Sequence, residues 1–200
     1  MKDDTYQNFR LLTDQESEGT DYCIRTRRAG ATLILAPHAG GIEPGTSELA
    51  EAIAGDECSF YLFEGIKAQG NNVLHITSAN FDEPTCLAML GLAERVLTIH
   101  GEDSDASVTF VGGLDTAGAA RITKALASSG FAAEASDKPH LQGLAATNVC
   151  NRGRAGAGVQ LELSKGLRRT FFRGLSPRSE RHHITPVFTR FVAAVRSGLV

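Results

Sequence analysis

The sequence predicts an α/β fold: one three-layer domain with a mostly parallel or mixed central sheet and helices on both faces. Three observations carry that expectation. Strand-like and helix-like segments alternate along nearly the whole chain. Two of the strand-like runs, Thr32 to Ala36 (TLILA) and Arg95 to Ile99 (RVLTI), have the near-continuous apolar character of strands buried on both faces. Finally, 200 residues, 42% hydrophobic and 22% charged, can bury a full core without disulfide staples. Residues 1–200 are therefore read as a single domain.

In chain order, Tyr22 to Thr26 reads as a strand and TLILA as the next, ending in the turn-rich loop Pro37-His38-Ala39-Gly40-Gly41. Gly45-Thr46-Ser47-Glu48 offers a hydroxyl N-cap, and Leu49, Ala50, Ile53 and Ala54 give helical spacing up to Gly55. Ser59 to Ile66 and Val73 to Thr77 read as strands. Asp82 to Leu92 reads as a helix with Pro84 in its first turn. RVLTI follows, ending at His100-Gly101, and then Val108 to Val111. Thr116 to Ser128 is amphipathic and closed by Gly130. Phe131 to Ala135 is a weak strand, Leu141 to Cys150 a loop or short helix, and Gly158 to Leu163 (GVQLEL) a strand. Lys165 to Phe172 and Pro186 to Ser197 close the chain as helices around a basic connection.

Composition excludes several classes. A net charge of −3 gives no global attraction to nucleic acid or anionic membrane, so an acidic partner needs a local basic cluster. No stretch approaches the roughly 20 apolar residues that span a bilayer. The polar, acidic start, Met1 to Gly19, has no apolar run behind basic residues, so no secretion signal is expected and a cytoplasmic location is. Cys23, Cys58, Cys86 and Cys150 form no CxxC pair and are expected as reduced thiols. A monomer is the favoured assembly.

Three apolar strands run straight into ionisable groups: TLILA into His38, RVLTI into His100, and GVQL into Glu162. In open α/β sheets, ligands bind beyond the carboxyl ends of the strands. His38 and Glu43 are joined by Ala39-Gly40-Gly41-Ile42, whose glycines let the chain fold back so that both side chains reach one ion. With His100 from another strand they make a two-His, one-carboxylate set, a recurring zinc site in hydrolases with one position left open. Glu162, alone on an otherwise apolar strand, is the expected catalytic carboxylate, taking a proton from water and passing it to the leaving amine. Asn151-Arg152-Gly153-Arg154 precedes that strand. Guanidinium forks bind carboxylates bidentately, so Arg152 and Arg154 are expected to clamp an acidic substrate. His75 is expected to pack within a strand, and His140 to sit in a loop. No GxSxG elbow or Walker lysine is present.

Together PHAGGIEPGTSELAEAI, FYLFEGIKAQGNNVLHITSANFDEP, VLTIHG and NVCNRGRAGAGVQLELSKGLRR resemble the phage-type poly-γ-glutamate hydrolases, zinc enzymes related in fold to the carboxypeptidase A group. The resemblance covers most of residues 33–172. It implies a carboxypeptidase-like fold, Zn²⁺ at His38, Glu43 and His100, and the acid/base role at Glu162. It also matches Asn151-Arg152 to an Asn-Arg pair that holds a substrate carboxylate in carboxypeptidases. Two spacings depart from carboxypeptidases: four residues, not two, separate the first His and Glu, and the Asn-Arg pair follows His100 rather than preceding it. The implied substrate is an acidic γ-glutamyl polymer, and the implied setting includes release on lysis. One alternative is a hydrolase of another small γ-glutamyl or N-acyl amino acid. Another is a nucleic-acid-binding phage replication accessory, supported by Lys165, Arg168, Arg169, Arg173, Arg178 and Arg181 but by no recognition motif.

Overall fold

The computed structural model describes residues 4–199. Its centre is a seven-stranded mixed sheet of β1 (Tyr22–Arg27), β2 (Thr32–Gly40), β3 (Ser59–Gly65), β4 (Arg95–Glu102), β5 (Thr109–Gly112), β6 (Ala133–Glu134) and β7 (Val159–Ser164), in the order β1-β3-β2-β4-β7-β5-β6. The four central strands, β3, β2, β4 and β7, are parallel. β1 runs antiparallel to β3, and β5 antiparallel to β7. The expected α/β class with a mixed sheet is therefore the observed one.

Side-chain alternation assigns each strand two faces. Ile34, Ala36, Phe60, Leu62, Leu97, Ile99, Leu161 and Leu163 point into one core, shared with helices α2 (Thr46–Ala54), α4 (Thr116–Ser128), α5 (Lys165–Phe171) and α6 (Pro186–Gly198). Leu33, Leu35, Tyr61, Phe63 and Val96 point into a second core, closed by Leu12 of α1 (Phe9–Thr13), Leu74, Phe81, and Cys86, Met89 and Leu90 of α3 (Pro84–Leu90). Helices thus cover both faces, as the buried-type strands require. Side-chain oxygens cap five of them: Asn8, Glu83 before Pro84, Asp115, Ser164 and Thr185.

Two local expectations fail for identifiable reasons. Val73 to Thr77 forms no strand. Asn71–Leu74 is a 3-10 turn and the next residues are irregular. Leu74 and Ile76 are buried as an alternating pattern would bury them, but the backbone serves neighbouring side chains rather than a ladder. The α2 N-cap carries no hydroxyl cap, because Gly45 occupies it in a left-handed conformation (φ 99°). The hydroxyls expected there hold the preceding loop: Ser47 Oγ accepts from Gly40 N at 2.8 Å, and Thr46 Oγ1 donates to Glu43 O at 2.8 Å.

Candidate metal centre

The site is built on the face of the sheet that carries the second core, at the carboxyl ends of β2, β4 and β7. His100 follows Val96 and Thr98 on that face, and Glu162 follows Gln160, because Ile99 and Leu161 point the other way. His100 and Glu162 are register partners on adjacent strands. His38 would point to the opposite face by simple alternation from Ile34 and Ala36. A bulge corrects it: Ala36 pairs with Leu62 but Ala39 with Glu64, so one extra residue is inserted around Pro37-His38. Pro37 has no N–H to give the ladder, which favours a break there. The bulge turns the imidazole over to the face of His100, a common role for bulges beside functional sites.

Three donors converge. His38 Nδ1 lies 3.1 Å from Glu43 Oε1 and 3.2 Å from His100 Nδ1, and His100 Nδ1 lies 3.7 Å from Glu43 Oε2. All three side chains are largely withdrawn from solvent. His38 Nε2 is 2.8 Å from the Ile76 carbonyl, which can only accept, so Nε2 carries a proton and Nδ1 is the nitrogen turned toward Glu43 and His100. Two imidazole nitrogens and a carboxylate facing one another at these distances are a donor set suited to a shared cation. Donors about 2.0–2.1 Å from a tetrahedral zinc stand roughly 3.3–3.4 Å apart, close to the spacings here. The residues therefore fit a metal.

Supporting contacts orient each donor. Gly101 N donates to Glu43 Oε2 at 2.7 Å, and Ser78 Oγ lies 3.5 Å from His100 Nε2. His75, expected inside a strand, instead faces the site. Its ring stacks on that of His38 with centroids 4.0 Å apart, and its Nδ1 is held by Asp4 Oδ1 at 2.7 Å. His38, Glu43 and His75 also form a donor group, with one ligand atom of each within 4.8 Å of the others. His75 carried no signal in the sequence beyond its type, because the irregular backbone that presents it has no periodicity.

The buried site perturbs its groups in opposite directions. Burial works to raise the Glu43 pKa, but His38, with His100 and His75, takes it down to about 2. Burial works to lower the His38 pKa, yet the Glu43 carboxylate raises it. Burial, with repulsion from His38 and His75, lowers His100 to about 3. Burial and the nearby Glu43 and Glu102 carboxylates push Glu162 well above the usual range. Glu162 Oε1 accepts from Gln160 Nε2 at 3.0 Å.

These groups open into a cleft of about 980 Å³. Ile42, Val73, Leu141 and Leu144 give it apolar wall, and His140 lies at its edge. Asn151, Arg152 and Arg154 are not among its lining residues, so the structure does not bring the expected clamp together with the metal centre. Asn151 is a buried loop staple, donating to Gly143 O and Ala145 O and accepting from Leu114 N and Gly158 N. Arg152 donates to Phe81 O, and Arg154 pairs with Glu94 at the opposite end of β4. The basic connection does not offer a phosphate track either. Arg169 pairs with Asp105, Arg173 with Glu180, Arg178 with Glu64 and Arg181 with Glu48. Arg168 is buried against backbone carbonyls. Among the described residues, no helix is long and apolar enough to cross a membrane.

Comparison with known proteins agrees with this architecture. A family model described as poly-γ-glutamate hydrolase matches residues 6–194. The UPF0714 protein YndL of Bacillus subtilis (strain 168) is 40% identical over 200 residues, covering 95% of this chain and 78% of that protein. The SPβ prophage-derived UPF0714 protein YoqZ of the same organism is 40% identical over 193 residues, covering 96% and 70%. Among solved structures, a bacteriophage poly-γ-glutamate hydrolase superposes with a TM-score of 0.93 at 36% identity, covering 98% of this chain and 96% of that one. A structure described as YNDL-apo (zinc-free) superposes with a TM-score of 0.92 at 38% identity, covering 98% of both chains.

Proposed function

The chain belongs to the poly-γ-glutamate hydrolase family, and from that premise we propose that it is a zinc-dependent hydrolase of γ-glutamyl amide bonds in poly-γ-glutamate. The observation that carries the reading is the convergence of His38 Nδ1, His100 Nδ1 and the Glu43 carboxylate on one point. His38, Glu43 and His100 would hold the metal. Zinc bound there would supply Lewis acidity, polarising an amide carbonyl and lowering the pKa of a water.

The rest is done by the chain's own side chains. Glu162, on the strand beside His100 and facing the cleft, takes the proton from water as its oxygen adds to the scissile carbonyl carbon. It returns that proton to the amide nitrogen as the C–N bond breaks, so water is added across the bond and a free amine leaves. The hydrogen bond from Gln160 fixes one Glu162 oxygen and leaves the other for the reaction. The Ile76 carbonyl and Ser78 hydroxyl keep the imidazoles of His38 and His100 in their orientation. A cleft of about 980 Å³ is at the upper end for a small-molecule pocket, which supports a polymeric substrate over a small γ-glutamyl compound.

The test combines metal analysis with turnover. The purified protein should carry one zinc per chain and shorten poly-γ-glutamate. Chelation should abolish cleavage, and added zinc should restore it. Equal cleavage by the metal-free protein, or none by the zinc-loaded one, would overturn the proposal.

A further inference from the structure

The proposed substrate carries a free carboxylate on every residue, yet the cleft is not basic. Among the described residues, its lining carboxylates are Asp4, Glu43, Glu102, Asp103 and Glu162, and its lining lysine and arginine are Lys165 and Arg168. A bound divalent ion would offset part of that negative charge near the scissile bond. Away from the metal, those two side chains are the cleft's lysine and arginine charge among the described residues. They stand three apart on α5, hence on one face of it, directly after the strand that carries Glu162.

The two are not equivalent. Arg168 is buried and committed to the frame. Its guanidinium donates to Leu163 O at 3.1 Å, Pro44 O at 2.7 Å and Glu102 O at 3.0 Å. It also lies against Gly101, where an added Cβ would stand 2.6 Å from its Cζ. Arg168 thereby ties α5 to the loop of Glu43 and to the end of β4. Lys165 is half-buried, lines the cleft, and enters none of the ion pairs found among the described residues, unlike the arginines that follow Arg168. A lysine ammonium on a flexible stem acts as a mobile point charge, suited to carboxylates that recur along a flexible chain.

We infer that Lys165 is the specificity-determining contact for the free α-carboxylate next to the scissile γ-amide, held at the cleft by the Arg168 frame. This rests on the proposed γ-glutamyl substrate and deepens it: the anion is read from α5, not from Arg152 and Arg154.

The test uses the zinc-loaded full chain, poly-γ-glutamate, and a γ-linked glutamate oligomer whose α-carboxylates are amidated. A charge-assisted hydrogen bond corresponds to roughly 10- to 150-fold, and a half-exposed group belongs at the lower end. Lys165→Gln should therefore raise KM for poly-γ-glutamate about 10-fold while kcat changes less. Lys165→Arg should retain most of the wild-type KM. Salt should raise KM more steeply for wild type than for Lys165→Gln. Wild type and Lys165→Gln should not differ on the amidated oligomer. Zinc content and melting temperature check that the variants fold. If wild type does not cut poly-γ-glutamate, the substrate reading fails. If wild type cuts it and Lys165→Gln does so with unchanged KM and salt response, the assignment of Lys165 alone is overturned. A loss equal on charged and amidated substrates would also overturn it, because it would mark a structural role.

Discussion

Replacing Glu162 by Gln separates proton transfer from everything else that side chain does. The two residues are nearly isosteric, and a Gln carbonyl can still accept the hydrogen bond from Gln160 Nε2 that Glu162 Oε1 accepts at 3.0 Å. No donor of the metal centre is removed, because Glu162 is not one of the converging ligands. What is lost is a group able to take a proton. General acid–base catalysis is worth about 10²–10⁴-fold, or roughly 2.7–5.5 kcal/mol of barrier. The expected kcat on poly-γ-glutamate falls by that factor, with zinc stoichiometry unchanged. Stability should move the other way. Burial and the Glu43 and Glu102 carboxylates disfavour the ionised form of Glu162 in the metal-free fold. Above the usual carboxylate pKa the unfolded chain ionises freely, so this group opposes folding there, and neutral Gln removes the opposition. The metal-free variant should melt no lower than metal-free wild type at neutral pH. Polymer shortening followed by size-exclusion chromatography measures the first effect, and calorimetry the second. Near wild-type turnover, or a variant that loses its zinc, would refute the assigned role.

His100→Ala should lose stoichiometric zinc, whereas His75→Ala should keep it. The reverse pattern in equilibrium dialysis would transfer the third ligand to the cluster of His38, Glu43 and His75. Arg152→Lys and Arg154→Lys should leave kcat/KM within about twofold of wild type, because their partners are Phe81 O and Glu94, outside the cleft. A tenfold loss in either would restore the clamp that the sequence suggested. Burial works to raise the Glu64 pKa, but hydrogen bonding from Ser47 and the charges of Arg178 and Arg25 lower it. A carboxyl depressed in the fold stabilises above its ordinary pKa, and that contribution is lost as pH falls through the depressed value. The melting temperature of wild type should therefore drop more than that of Glu64→Gln between about pH 6 and pH 3. A difference on the order of 1 kcal/mol is about 2–4 °C for a chain of this size, and parallel curves would remove Glu64 from the account.

The parts of this molecule legible in the sequence are those with a period or a short spacing. TLILA, RVLTI and GVQLEL became β2, β4 and β7, and their terminal ionisable residues meet because parallel neighbours end at one edge. The helix over 116–128 and the closing helix from Pro186 lie where amphipathic spacing put them. Illegible were features decided by what lies across the fold. Val73 to Thr77 alternates like a strand, but its polar groups bond to His38 and Asp4 instead of a ladder. Arg152 and Arg154 sit close in sequence to Glu162 yet point to the other end of the sheet, because the turn before β7 lies beside the start of β4. The basic residues near the C-terminus look like a patch in one dimension. In three, Glu48, Glu64, Asp105 and Glu180 pair with four of the six.

The site's dependence on one irregular segment explains how a rigid sheet can hold the imidazoles of His38 and His100 toward a single point. Strands set backbone positions well but leave ring rotation open, and a metal site needs its donors' ring planes set as well as their positions. Here residues 75–78 supply those constraints within four positions: His75 itself, the Ile76 carbonyl on His38, the Thr77 N–H on Asp4 that in turn holds His75, and the Ser78 hydroxyl beside His100. A regular strand could not do this, since its carbonyls and N–H groups would be spent on neighbours. The failure of Val73 to Thr77 to become a strand is therefore tied to the chemistry: its unpaired backbone groups are the ones that fix the imidazoles. The bulge at Pro37-His38 follows the same logic on β2, giving up one ladder step to bring His38 onto the face where that segment can reach it. In both places the chain departs from regular pairing where a donor has to be aimed, and the adjoining apolar strands, buried on both faces, hold the departures in place.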